Sequence, residues 1–253
     1  MSATSWKAMD PTRRISFVAG VFFIITFVSA IGGVILYGPV LSDAGYIAGA
    51  GADARVSLGA LFEVILVIAN IGTAVALFPI LKRQNEGVAL GYVAARLIEC
   101  TFIVVGIVSL LAVVALRQDA AGSDAGSLVT VGKSLVAVRD ATFLLGPGFV
   151  AGFGNGLLLG YLMYRSGLVP RPMAVVGLVG GTLLCASGIA VLLGLIEAGS
   201  AWQGIATIPE IAWEGFLAIY LTFKGFKAAP IITDYPRRIE LDGAVAAPVV
   251  AAT

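Results

Sequence analysis

The chain has 253 residues, of which 59% are hydrophobic and 12% charged, and its mean hydropathy is +1.00. Soluble domains are closer to half apolar and a quarter charged, so this composition excludes an ordinary soluble core. The formal net charge of +1 gives no reason to expect nucleic acid as a partner. Histidine is absent, and Cys100 and Cys185 lie in apolar segments. We therefore expect no metal site, no cofactor and no disulfide.

Six stretches are long and apolar enough to form membrane-spanning helices, which need about 20 residues each. The first follows a basic start, as a secretory signal does, but its 23 uncharged residues exceed a signal core, so we interpret it as a retained helix. The sixth is the least apolar. The stretches are Ile15–Tyr37, Val56–Leu81, Val88–Leu116, Ala141–Tyr164, Met173–Ile196 and Ile205–Phe223.

The distribution of lysine and arginine predicts the orientation. Eleven fall in the N-terminal segment, the two short turns and the C-terminal end, whereas four fall in the other connections, namely Arg55, Arg117, Lys133 and Arg139. The positive-inside rule places both termini in the cytoplasm, as an even number of spans requires. The sequence thus predicts an all-α membrane bundle, with a cytoplasmic segment 1–14, a six-helix domain 15–226 and a disordered cytoplasmic tail 227–253.

The connection before the fourth stretch has apolar residues at helical spacing, Leu128, Val131, Leu135 and Val138. This pattern is typical of an amphipathic helix. Two interpretations stay open: a separate helix lying on the outer membrane interface, or an extension of the fourth span.

Charged residues inside the apolar stretches are the main indication of function. Arg96 and Glu99 are three apart in the third stretch, and Glu210 and Glu214 are four apart in the sixth, so each pair shares a helix face. Glu63 lies in the second stretch, with Asn70 seven residues later on the same face.

These charges do not balance, because four carboxyl groups face one arginine within the membrane. Arg96 can pair with one or two of them, and the others must hold a proton, water or a cation. The sequence predicts a polar pocket, open to the outer face and lined by the second, third and sixth helices.

Glycine dominates the fourth stretch, where Gly148, Gly152, Gly156 and Gly160 form a row at intervals of four. Such a row favours close helix packing, with a kink at Pro147 as the alternative. Asn155 lies among these glycines and needs a hydrogen-bond partner inside the bundle, so we add it to the pocket residues.

Several motifs, taken in order, resemble one bacterial family. The resemblance rests on four segments: Leu61-Phe62-Glu63 running to Phe78-Pro79-Ile80-Leu81-Lys82; Ala89-Leu90-Gly91-Tyr92 with Arg96 and Glu99; Gly160-Tyr161-Leu162, Tyr164-Arg165-Ser166 and Leu168-Val169-Pro170-Arg171; and Pro209-Glu210, Glu214 and Lys224-Gly225-Phe226. The chain is similar here to the membrane proteins of domain of unknown function 4386. The resemblance implies a six-helix protein of the bacterial inner membrane, and it implies no activity.

Three functions are compatible with these features. The first is a protein that moves or senses a small solute or cation through the pocket, which comprises Glu63, Asn70, Arg96, Glu99, Asn155, Glu210 and Glu214. The second is a structural or partner-binding subunit without a ligand, in which the polar cluster only locks the bundle. The third is an intramembrane enzyme, although the sequence contains no catalytic motif that supports it. A homo-oligomer is compatible with all three.

Overall fold

The computed structural model describes residues 9–49, 51–119 and 124–233. These residues form helices and connections without any strand, which confirms the predicted all-α class. A single 3₁₀ turn, Tyr46–Ala48, lies between the first two helices. The helices are α1 (Pro11–Ser42), α2 (Asp53–Leu81), α3 (Glu86–Gln118), α4 (Ala125–Ser166), α5 (Arg171–Leu192), α6 (Ala201–Phe223) and α7 (Pro230–Thr233).

Within the described residues, five helices, α1 to α5, are long and apolar enough to cross a membrane. The sixth predicted stretch also forms a helix, the 23-residue α6, but Glu210 and Glu214 interrupt its apolar sequence and it is not one of these five. The prediction of a disordered tail falls mainly on residues 234–253, which lie outside the described residues.

Consecutive helices run back and forth, which defines two ends of the bundle. The turn end carries the start of α1, the end of α6 and the turns 82–85 and 167–170, whereas the loop end carries the ends of α1, α3 and α5 and the starts of α2, α4 and α6. Helix α1 packs against both α2 and α6, and α5 packs against α4 and α6.

Two apolar clusters form the core, one toward each end. The cluster at the turn end includes Leu77 and Tyr92, and the cluster at the loop end includes Leu66 and Ile103. Asn70 and Thr73 of α2 and Arg96 and Glu99 of α3 are buried polar residues that lie in the sequence between the members of these two clusters. The fold therefore places a polar layer between two apolar layers, at mid-height of the bundle.

Helix α4 shows that the amphipathic stretch extends the fourth span and is not a separate interfacial helix. It runs without a break from Ala125 to Ser166. Its first part packs against α3 and the connection between α1 and α2: the Ser109 hydroxyl bonds to the Leu135 carbonyl, and Gly132 lies against Ile47. Leu128 and Leu135 of this stretch pack against the apolar cluster at the loop end, whereas Val131 and Val138 are exposed.

The middle of α4 is π-helical over Gly146–Val150 and Gly152–Leu159. Its glycines allow close approach to α5, since a Cβ placed on Gly181 would lie 2.8 Å from the Gly156 Cα. The predicted close packing is confirmed at Gly152, Gly156 and Gly160. Segments of π-helix recur at functional sites because they reorient side chains.

At each end of the bundle, an arginine connects two helices. At the turn end, Arg13 donates from Nη1 to the Leu221 carbonyl at 2.9 Å and from Nη2 to the Thr222 carbonyl at 2.7 Å. These are unpaired carbonyls of the last turn of α6, where a cation is also favoured by the helix dipole. At the loop end, Arg117 pairs with Asp53 at 2.8 Å and so joins α3 to α2.

Candidate functional site: a buried carboxylate cavity

The centre of the polar layer is an ion pair within α3. Arg96 Nη1 lies 2.7 Å from Glu99 Oε2, and both side chains are almost completely buried. Glu99 Oε1 accepts a second hydrogen bond from Asn70 Nδ2 on α2, at 3.1 Å. Both oxygens of Glu99 are therefore satisfied, and the predicted contact between Arg96 and Glu99 is confirmed.

A second carboxylate reaches the same arginine from α6. Glu214 Oε1 lies 3.9 Å from Arg96 Nη2 and accepts a hydrogen bond from Asn155 Nδ2. The backbone carbonyl of Asn155 in turn accepts from Trp213 Nε1 at 3.1 Å. The π-helical segment of α4 thus holds Asn155 against two consecutive residues of α6, and Glu214 is the hydrogen-bond partner that Asn155 was expected to need.

Glu210 differs from the other carboxylates of this layer. Glu210 is 4% exposed, and neither of its carboxylate oxygens has a hydrogen-bond partner among the described residues. It lies one turn before Glu214 on α6, against the backbones of Gly156 and Gly180: a Cβ placed on Gly180 would be 2.9 Å from Glu210 Oε2. A buried carboxylate without a donor is costly, so this group needs a proton or a positively charged neighbour.

A cavity of about 750 Å³ adjoins these groups. It extends from Arg96 and Glu214 toward Ser200 in the connection between α5 and α6, and every one of the six long helices contributes to its wall. Its polar wall residues include Asn70, Arg96, Glu99, Arg139, Asp140, Glu210 and Glu214. Side chains from α1, α2, α3, α4 and α6 cover much of the rest with apolar groups, among them Phe27, Leu66, Ile103, Phe143 and Ile211.

The polar wall of the cavity follows one face of α6. Gln203, Thr207, Glu210 and Glu214 recur at helical spacing, and all four line the cavity. They lead from the loop end, where α6 begins, to the carboxylates at mid-height. A polar solute entering from the loop end would therefore meet a continuous row of hydrogen-bonding groups.

Glu63 lies outside this cavity. Its carboxylate pairs with Arg139 of α4, with Oε1 at 3.4 Å from Nη2, and both residues are buried. Glu63 also interacts with Tyr37 of α1. Arg139 lines the cavity and stacks over Phe143 at 4.3 Å from the ring centroid. The predicted pocket therefore divides into a Glu63–Arg139 pair and a separate group around Arg96.

Arg139 corrects the charge balance predicted from the sequence. The sequence assigns it to a connecting loop, because the predicted fourth stretch begins at Ala141, yet it is 6% exposed and lies inside the bundle. Two arginines, and not one, therefore face the four buried carboxylates. Helical spacing could have indicated this burial, because Arg139 follows Leu135 by four residues and so lies on the same apolar helix face.

The remaining predicted pocket residues do meet. Asn70, Arg96, Glu99, Asn155 and Glu214 form one network of hydrogen bonds and ion pairs, and Glu210 adjoins it. The lining involves more helices than the three we expected, because α1, α4 and α5 also border the cavity. Among the described residues, no group of three or more His, Cys, Asp or Glu side chains is arranged to hold a metal ion.

Long apolar helices packed around a buried polar layer identify a helical membrane protein. The family described as Domain of unknown function (DUF4386) has a sequence model that matches residues 18–225, and the chain belongs to this family. The match confirms the resemblance found in the motifs. Neither the curated proteins nor the solved structures include a significant match to the chain.

Proposed function

We propose that this protein binds a small solute in the cavity between its helices and moves or senses that solute. The observation that carries the proposal is Glu210, whose buried carboxylate lines a cavity of about 750 Å³ and has no hydrogen-bond partner among the described residues. Ligand sites in proteins are mainly apolar cavities of roughly 300–1,000 Å³ with a few convergent polar groups. This cavity has that size and that distribution of groups.

A purely structural role accounts for part of the polar layer only. Arg96, Glu99 and Asn70 satisfy one another and connect α2 to α3, as a structural network would. This network does not stabilise the carboxylate of Glu210, because its oxygens bond to none of these residues. A group that only stabilised the bundle would be paired, so Glu210 favours a solute over the structural alternative.

We further propose that α6 is a sixth span and that both termini face the cytoplasm, in the cell's inner membrane. Helix α6 has 23 residues, enough to cross the hydrocarbon core, and its Trp213 is fully buried between the neighbouring helices. Among the described residues, the turn end carries most of the basic side chains, and the burial of Arg139 leaves Arg55, Arg117 and Lys133 at the loop end. The proposal of a six-helix domain over residues 15–226 depends on α6 being a span and on both termini facing the same side.

Reporter fusions test the topology. Fusions after Arg83 and Arg171 should show a cytoplasmic reporter as active, and a fusion after Asp124 should activate only a reporter that works outside the cytoplasm. Cytoplasmic activity at the Asp124 fusion would exclude the six-span arrangement.

A ligand screen tests the solute. The purified chain, in detergent, is heated with ions, sugars, amino acids, amines and lipids, because a molecule that binds only the folded state raises the unfolding temperature by mass action. At least one class should raise it, and Glu210→Gln should reduce the shift. A shift that Glu210→Gln leaves unchanged, or no shift with any class, would favour the structural alternative.

A further inference from the structure

We propose that the solute is an organic ammonium ion with an apolar body, its charged head beside Glu210 and Glu214 and its body against the apolar wall of the cavity. This inference rests on the proposed function, since it names the class of solute that the same cavity takes. Three independent properties of the cavity support it: the charge of its wall, the hydrogen-bonding groups left without a partner, and the apolar surface around them.

The charge of the cavity wall favours a cation. Its ionisable side chains are Glu99, Asp140, Glu210 and Glu214 against Arg96 and Arg139. Arg139 also pairs with Glu63 behind the wall, and Arg96 bonds most closely to Glu99. The carboxylates of α6 therefore exceed the positive charge available to them. An anionic solute would add to this excess at low dielectric, where like charges are most costly.

The unpartnered polar groups next to the cavity are mainly acceptors. They are the two carboxylate oxygens of Glu210 and the Oδ1 of Asn155, the residue that donates to Glu214, against one donor among the described residues, the Nε of Arg96. An ammonium group carries up to three N–H donors and no acceptor, so it complements such a set. Hydrogen bonds between charged partners are also about twice as strong as neutral ones.

The apolar wall separates an organic cation from a metal ion. Phe27, Ile31, Phe143, Leu144 and Ile211 border the same cavity as the carboxylates. A metal ion would lose its hydration there, and the described residues include no cluster of three ligands to replace it. An arylalkyl amine would instead bury its body against these side chains and keep its charge at Glu210.

The test compares three probes of similar shape on the full chain in detergent at neutral pH. They are 2-phenylethylammonium, its neutral analogue propylbenzene, and the anion 3-phenylpropanoate. Binding is measured by calorimetric titration on the wild type, on Glu210→Gln and on Glu86→Gln. Glu86 is an exposed carboxylate at the turn end and provides a matched loss of one charge. Glu210→Asp serves as a second variant if Glu210→Gln does not fold.

We expect the ammonium probe to bind at least about tenfold more tightly than the other two. Glu210→Gln should weaken the ammonium probe by about tenfold or more and leave propylbenzene unchanged, and Glu86→Gln should change neither. Equal or tighter binding of propylbenzene or 3-phenylpropanoate would refute the ammonium proposal while the solute-binding function stands. If none of the probes binds and the broad screen also finds no ligand, both proposals are wrong.

Discussion

Arg139 of α4 pairs with Glu63 of α2 across the bundle, with Nη2 and Oε1 3.4 Å apart and both residues almost fully buried. The two residues are 76 positions apart in the chain, and the pair closes one side of the cavity, since Arg139 is also a wall residue. It keeps Glu63 away from the Arg96 group, so the buried charges work as two separate units.

We predict that Arg139→Met lowers the free energy of unfolding by about 3 kcal/mol, because the substitution leaves Glu63 charged and unpaired in the interior. Adding Glu63→Gln should restore part of that loss, since the unpaired charge is then removed. Chemical denaturation in detergent measures both effects, with Lys133→Met, an exposed position on the same helix, as the control. Strictly additive effects of the two substitutions would show that the residues do not interact.

Arg96→Ala should destabilise the bundle by a similar amount, about 3 kcal/mol, since Glu99 would lose its closest cation. Glu99→Gln in the Arg96→Ala background should recover part of the stability, because the side chain can still accept from Asn70 without a buried charge. A double-mutant cycle from thermal unfolding gives the coupling energy. A coupling energy of zero would contradict the pairing.

Gly181→Ala should destabilise the protein by about 1–3 kcal/mol, because the new methyl group would force α5 away from the π-helical part of α4. Gly204→Ala is the matched control, as no atom lies within 4 Å of a Cβ at that helical position. The control should be neutral or stabilising by up to about 1 kcal/mol, through its lower chain entropy. Equal effects of the two substitutions would argue against the close contact of α4 and α5.

The start of α4 should respond to acid. The backbone N–H of Ser127 donates to Asp124 at 2.8 Å and its hydroxyl at 2.9 Å, and these bonds hold the pKa of the Asp124 carboxyl below its usual range. The folded state therefore binds this proton more weakly than the unfolded state does. The stabilisation is complete above the usual range of an aspartate and is lost as the pH falls through the folded-state pKa.

Amide hydrogen exchange at Ser127 measures this effect, with each rate divided by its intrinsic value at the same pH. Protection should decrease below the usual range of an aspartate in the wild type. In Asp124→Asn, which keeps a capping side chain without an ionisable group, protection should not depend on pH. A parallel acid loss in both proteins would assign the effect to another group.

The sequence by itself determined the class of the protein and the approximate positions of its helices, apart from the start of α4. Apolar stretches of about 20 residues leave the chain few alternatives to helices, because the membrane interior provides no water to satisfy backbone groups. Local spacing was equally informative within one helix: Arg96 and Glu99 are three residues apart, and helical geometry alone brings them together. The same reasoning predicted the glycine face of α4, which the contact with Gly181 confirms.

Only the tertiary structure decided which partners meet across helices. Local spacing specifies the face of a helix, but the height and rotation of each neighbour depend on how all the side chains pack. Arg139 shows this limit: helical spacing places it on the face of Leu135 once α4 starts at Ala125 instead of Ala141, 16 residues earlier, but its partner Glu63 on α2 follows only from the packing. The π-helical segment that positions Asn155 shows no local signal beyond its glycines. Glu210 and Glu214 look equivalent in the sequence, yet packing gives Glu214 two partners and gives Glu210 no hydrogen-bond partner within the described part of the chain.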